Sequence, residues 1–335
     1  MSLLRKVSIK DIAEAAGVSV TLVSFVLNGK ASEYRINEDT AKRIIDIANK
    51  LRYKPNLAAQ SLREGRSHII GIVLSDISNP FFSSLARLFE DISSNYDYTV
   101  FFGSSDERPE RMKKIVGNLI NRGVDGLIVV PCENTKNFLT NLSNHSVPIV
   151  LLDRYFADSN IKFVGLNNFA ATYEATKYLI EHHHQRPTIV AYDINLIHMQ
   201  ERIRGYVEAM KDFHKENFIK VYYLPQHSQN EIANQIIQGA LKDHIDSFIF
   251  ATNLISLSCL YAIKKLDEQV ANQLGIVGFD GNPAFDFLGR SISYIQQPLD
   301  KMAKSTFSIL INEIAKKPSE SVLIDGDFVI IGEEQ

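Results

Sequence analysis

Two short stretches near the start of the chain carry side chains suited to reading nucleic acid. In residues 8–29, Ser8 with Asp11 three residues on forms a capping-box pattern, which starts a helix by satisfying free backbone N–H groups. Ile12, Ala13, Ala15 and Ala16 give that helix a small apolar face, and Gly17 supplies the permissive backbone of a tight turn. Ser19 can cap a second helix. On it Val23, Val26 and Leu27 fall at i, i+3 and i+4 and face inward, so Val20, Thr21, Ser24 and Phe25 face elsewhere. Helix, glycine turn, helix is the helix-turn-helix unit, whose second helix enters the major groove N-terminus first. Asn28-Gly29 ends it. The second stretch, residues 53–62, begins with Tyr53, then Pro55 directs the chain into Asn56, a residue able to cap a short helix over 57–62. One to two turns are marginal in isolation. The two stretches read as a DNA-reading head and a hinge.

The elements that must position these residues follow from patterning. A third amphipathic helix spans about 37–51, with Ile44, Ile45, Ala48 and Leu51 as its buried stripe and Arg43 and Lys50 off it. A three-helix bundle with no ligand is the other reading, and charge weighs against it. Residues 1–67 hold twelve Lys+Arg against seven Asp+Glu, a balance of +5; the whole chain carries −3, leaving −8 for residues 68–335. A basic head on an acidic body is the asymmetry of a protein that meets phosphate through its head alone.

The body alternates strands with helices. Continuous or short apolar runs predict strands over 69–74, 98–102, 126–130 and 148–152, then a second series over 188–191, 219–223, 247–250 and 274–278, with amphipathic helices between them. That rhythm predicts an α/β fold of two Rossmann-like, doubly wound lobes behind a small all-α head. No run approaches a membrane span, and the N-terminus lacks a secretory apolar core. Cys132 and Cys259 sit beside apolar runs and read as buried free thiols, which suits the cytoplasm. No Gly-x-Gly-x-x-Gly follows a strand, and no Walker loop or mutually supporting catalytic set is present, so the chain reads as no enzyme and needs no cofactor. Glu181-His182-His183-His184 is a poor metal site, because adjacent helix positions do not share a face; the histidines end a helix instead.

The head closely resembles the LacI/GalR family of bacterial transcription regulators. The matching residues are the run from Asp11 to Ser19, Val23-Ser24, Leu27-Asn28, Thr40, Arg43, Tyr53, Pro55-Asn56, Ala59 and Leu62. The resemblance implies DNA contacts from Ser8, Lys10, Ser19, Val20, Thr21, Ser24, Phe25, Asn28, Thr40, Arg43 and Tyr53. It implies a hinge whose Asn56 and Ala59 flank Leu62, with Leu62 wedged into the minor groove at the centre of the site. The family commonly places arginine where this chain has Phe25, which offers only apolar contact, for instance to a thymine methyl, in place of a guanine contact. The loop over 30–36 is longer than the family's. The domains implied are a head over 1–54, a hinge and linker over 55–67, and an effector domain over 68–335. Its first lobe would take about 68–165 plus 297–320, its second about 166–293 plus 321–335, with crossings near 163–167, 291–297 and 319–324.

Such lobes resemble periplasmic sugar-binding proteins, in which ligand sits between lobes at strand C-termini. The resemblance places Phe81, Phe82, Asp153, Arg154, Arg202, Asn253 and Asp280 there. A Phe ring can stack on a sugar's C–H face, although packing at a helix start is the other reading of Phe82. Asp153 accepts hydroxyls and Arg154 donates. Asn253 keeps the first residue of the family's Asn-Asp pair, but the second is Leu254, which makes the pocket locally less polar. Each charged member could instead form an interlobe ion pair. The function implied is a repressor that binds a near-palindromic operator as a homodimer and answers to a small molecule, by class a carbohydrate, with no membrane contact; a nucleoside also suits the aromatic and carboxylate set. A transport-type solute-binding protein is the alternative, and it leaves residues 8–62 unexplained.

Overall fold

A computed structural model describes residues 7–53, 65–145, 147–226, 230–282, 285 and 292–331, in two compact units, 1–67 and 68–335. Asn56, Ala59 and Leu62 of the expected hinge lie outside the described residues.

The first unit holds helices α1 (Ile9–Ala16), α2 (Val20–Leu27) and α3 (Glu38–Lys50). The Ser8 hydroxyl accepts the Asp11 N–H at 3.4 Å while the Asp11 carboxylate accepts the Ser8 N–H at 2.7 Å, a complete capping box. Gly17 ends α1 at φ +63°, in the left-handed region that favours glycine. Ser19 accepts the Leu22 N–H at 3.2 Å and Asn37 accepts the Asp39 N–H at 2.9 Å, so all three helices start on side-chain caps. Ile12, Ala13, Val23, Val26, Ile44 and Ala48 form the core. Two expected members of the α3 stripe lie outside it: Ile45 is 45% exposed and Leu51 37%. Adjacent helix positions point about 100° apart, so α1 and α2 cover Ile44 and leave Ile45 to solvent. Ala41 and Ile47 pack where Ile45 and Leu51 were expected.

The second unit is two lobes, each built on a six-stranded sheet. The first lobe runs β1 (Ile69–Leu74), α4 (Pro80–Ser94), β2 (Thr99–Ser104), α5 (Pro109–Asn121), β3 (Gly126–Val129), α6 (Lys136–His145), β4 (Ile149–Leu152) and β5 (Lys162–Leu166). The second runs α7 (Asn168–Glu181), β6 (Pro187–Tyr192), α8 (Ile197–Asp212), β7 (Val221–Leu224), α9 (Asn230–Lys242), β8 (Ser247–Phe250), α10 (Asn253–Ile263), α11 (Glu268–Gln273), β9 (Gly275–Phe279) and β10 (Ser293–Gln296). Helix α12 (Leu299–Ile314) returns to the first core, and β11 (Val322–Ile324) and β12 (Asp327–Val329) close the chain. Strand orders are β11-β5-β4-β3-β1-β2 and β12-β10-β9-β8-β6-β7; every pairing is parallel except the antiparallel β10–β12 edge.

The third crossing differs from expectation. Residues 322–324 pair with β5 in the first sheet, in register Val322 with Val164 and Ile324 with Leu166, so the chain leaves the first lobe only after Ile324. The segments expected as crossings are themselves edge or near-edge strands, because extending along an existing strand satisfies their backbone groups. Cys132 and Cys259 are buried free thiols. His182 caps α7, and the His184 ring lies where a Cβ on Gly275 would clash.

Candidate functional site

The first unit offers the exposed face of α2. Val20 and Thr21 are exposed at its N-terminal end, with Ser24 and Phe25 half-buried one turn on. Asn28 donates to the Ser24 carbonyl at 2.6 Å and to its hydroxyl at 3.2 Å, which fixes the helix end. Ser8, Lys10, Ser19 and Arg43 are exposed, while Thr40 and Tyr53 are half-buried. The Phe25 ring is not free-standing: Tyr34 of the following loop stacks on it with centroids 3.7 Å apart and planes 8° from parallel. The loop is pinned at both ends, by the Lys30 N–H on the Phe25 carbonyl and the Ile36 N–H on the Ala31 carbonyl, each at 2.9 Å. Tyr34, part of the loop expected to be long but given no role there, therefore shares the place of Phe25.

The second unit holds the charged site between its lobes. Asp153 directly follows β4 and Asp280 directly follows β9, and both adopt positive φ, 68° and 55°. Each aspartate's own N–H reaches the next strand, to the Val164 carbonyl at 2.8 Å and the Ile295 carbonyl at 2.7 Å. These equivalent turns bring the carboxyls to the strand C-termini, and aspartate tolerates the left-handed backbone better than most side chains do. Arg154 forks onto Glu107, with both nitrogen-to-oxygen distances 2.7 Å, and donates to the Pro131 carbonyl at 3.3 Å. Its Nε lies 3.5 Å from Asp153.

Arg202, on α8, donates to the Asn168 side chain at 2.7 Å and to the Ala251 carbonyl, and its guanidinium lies 3.7 Å from the centre of the Phe279 ring. Gly205 makes this placement possible: a Cβ there would come within 2.3 Å of the Phe169 carbonyl, so only glycine lets α8 approach α7 this closely. Asn253 starts α10 and donates across the cleft to Asn79 at 3.1 Å; the same Asn79 oxygen accepts the Phe81 N–H that begins α4.

These residues surround two adjoining cavities. The smaller, of about 50 Å³, is lined by Asp153, Arg202, Asp280, Gln297, Asn253 and Phe81 among others. The larger, of about 300 Å³, reaches toward Tyr192, Leu224 and Leu254. Arg154, Phe82 and His198 belong to both. All seven residues expected in the cleft line the smaller cavity. Phe81 and Phe82 meet edge to face, with centroids 4.8 Å apart.

Burial dominates the electrostatics. It raises the Asp153 carboxyl, against the pull of Arg154 and Arg202. It pushes Asp280 up to about 6, although Gln297 donates to that carboxylate at 2.9 Å. It lowers Arg202 to about 10 and, with the two arginines, holds His198 well below the ordinary range, so the imidazole is neutral. Glu107, Asn79, His198 and Gln297 were not among the residues expected in the cleft. Among the described residues, no group of three His, Cys, Asp or Glu side chains is placed to hold a metal.

Residues 8–56 match the family model of bacterial regulatory proteins, lacI family, and residues 70–286 match the periplasmic binding protein domain. The chain is 30% identical over 318 residues to the ribose operon repressor of Halalkalibacterium halodurans, covering 94% of this chain and 92% of that protein. It is 25% identical over 323 residues to the HTH-type transcriptional repressor PurR of Histophilus somni, covering 95% of each. The solved lac repressor dimer bound to operator and the anti-inducer ONPF shares the fold, with TM-score 0.84 at 19% identity over 97% of this chain and 98% of that one.

Proposed function

The chain belongs to the lacI family of bacterial regulatory proteins and is a DNA-binding transcription regulator, and we propose that its operator affinity is set by a neutral sugar bound between the lobes of residues 68–335. The observation that carries this is the cleft itself: two carboxylates, two arginines and a neutral histidine converge from both lobes on one space, and Asn253 and Asn79 join the lobes beside it. Carboxylates and guanidinium groups at strand ends are the donors and acceptors that ring hydroxyls need. The relative named ribose operon repressor makes a pentose the first candidate.

On this reading the protein is a repressor and a homodimer, so that two heads meet two half-sites. It acts in the cytoplasm, where its DNA lies, by binding rather than catalysis. The exposed start of α2 lies in the major groove, and the Phe25–Tyr34 stack presents an apolar edge in place of a bidentate guanine contact. Asn56, Ala59 and Leu62 carry the hinge contact proposed from the family pattern.

The test is operator selection followed by anisotropy at stated salt. Steep salt dependence, a half-site without an obligatory guanine opposite Phe25, and an operator affinity that moves when ribose is added are the expected results. DNA binding that is absent at low salt overturns the reading of the head. A guanine that stays invariant in wild type and is lost in Phe25→Ala overturns the proposed base preference.

A further inference from the structure

The two cavities differ in their walls, and the difference says more about the effector than the charged residues do. The inner one, about 50 Å³, has room for a few water-sized bodies and is bounded by Asp153, Arg202, Asp280 and Gln297. A whole sugar therefore extends beyond it. The outer one, about 300 Å³, falls at the lower end of ordinary ligand sites. Beyond the shared residues, much of its wall is apolar: Tyr192, Ile194, Leu224, Leu254 and Leu257. Leu254 stands where the resemblance places an aspartate, so at that position the wall is apolar in this chain.

Three buried polar atoms mark where a ligand must supply partners. The Gln297 side-chain oxygen of the inner chamber, Nδ1 of the shared His198, and the Ser75 hydroxyl of the outer chamber all lack a hydrogen-bond partner. Each residue is at least nine-tenths buried. Buried polar atoms left without partners are costly, and ligand hydroxyls are the groups that would satisfy all three.

Charge narrows the class further. The carboxylates of Asp76, Glu107, Asp153 and Asp280 line the two chambers against the guanidiniums of Arg154 and Arg202. Arg154 is matched by Glu107, and Arg202 faces the charges of Asp153 and Asp280. A phosphate would enter a site whose cations are already balanced and whose acids are in excess.

We propose that the effector is an uncharged sugar joined at one carbon to an apolar ring, with the sugar hydroxyls on Asp153, Arg202, Asp280 and Gln297 and the ring against Leu254, Leu257, Leu224 and Ile194. Glycosides of an aromatic alcohol and nucleosides share this chemistry. The inference rests on the sugar reading given above.

The experiment is calorimetric titration of the full chain with ribose, methyl riboside, p-nitrophenyl riboside, uridine and ribose 5-phosphate. The expected result is that at least one ring-bearing riboside binds tenfold or more tighter than ribose and methyl riboside, while ribose 5-phosphate binds weakest. Whether the nitrophenyl riboside or uridine leads decides between the two sources. Leu254→Asp should narrow the ratio of riboside to ribose affinity about tenfold, and Leu254→Ala should narrow it less. Equal affinities across ribose and the ribosides overturn the proposal while leaving the sugar reading intact, whereas tightest binding by ribose 5-phosphate overturns both the proposal and the neutrality of the sugar. A ratio unchanged in Leu254→Asp, with that variant still binding operator DNA, also overturns it. Binding by no probe overturns both readings.

Discussion

Each lobe of residues 68–335 points one buried arginine at the cleft, and the two are held in opposite ways. Arg154 is gripped by Glu107 of its own lobe in a two-pronged ion pair at 2.7 Å. Burial pulls its pKa down, but Glu107, with Asp153 beside it, more than offsets this and the net shift is upward. Arg202 has neutral partners at hand: the Asn168 amide, the Ala251 carbonyl and the Phe279 ring face. Burial lowers it to about 10, and the acids that pull it back are Asp153 of the other lobe and Asp280. The first arginine is thus neutralised within its framework. The second is balanced only by the acids that face it across the cleft and has room for hydroxyl oxygens, which makes it the one that senses what fills the space.

Removing the Glu107 carboxylate should have the largest effect. Glu107→Ala leaves a buried guanidinium with only Asp153 beside it, and the expected loss is about 3 to 4 kcal/mol in urea unfolding. A loss below about 1 kcal/mol would mean that Arg154 is not framework, and the contrast between the lobes would collapse.

Asp280 comes next, with the opposite sign. Its folded pKa of about 6 lies above the ordinary 3.8 of an aspartate, so its contribution favours the fold below about pH 4 and is lost as pH rises through 6. Asp280→Asn should therefore raise stability above pH 7 by about 2 to 3 kcal/mol while weakening sugar binding. In the wild type, hydroxyl donors favour the ionised carboxylate, so sugar affinity should climb between pH 5 and 7, with Asp153 acting in the same direction.

Arg202→Met should separate stability from response. The expected loss of sugar affinity is about thirtyfold, or about 2 kcal/mol, with a smaller loss of stability than in Glu107→Ala. Equal behaviour of the two arginines in calorimetry and unfolding would break the comparison. Gly205→Ala should act more weakly, by about 1 to 2 kcal/mol, because α8 must back away from the Phe169 carbonyl and carries Arg202 from Asn168.

What could be read ahead of the structure follows the distance over which each interaction acts. The Ser8–Asp11 capping box and the Ser19 cap close within three residues, and both were legible. So were the strands whose apolar runs are buried on both faces, such as β1 and β8. The strand-end turns of Asp153 and Asp280 were found by resemblance. Glu107 was not, because its role exists only through Arg154, 47 residues away. Nor was Asn79, whose cross-lobe partner lies 174 residues on. Ile45 and Leu51 were misplaced since helical spacing alone does not say how wide a face the neighbouring helices cover. The three residues of β11 carry no pattern that selects a sheet; pairing with β5 does so.

On the proposed function, a ligand in the cleft and an operator on the head bias one equilibrium. Coupling of this kind is reciprocal, so one factor must appear in both affinities. The most direct measurement is calorimetric titration of the tightest-binding member of the ribose and riboside set into the free protein and into the protein saturated with operator at fixed salt. The two dissociation constants should differ by about fivefold or more, with the same factor in operator affinity measured with and without that ligand. Identical ligand affinity in the two titrations, with binding seen in both, would contradict it.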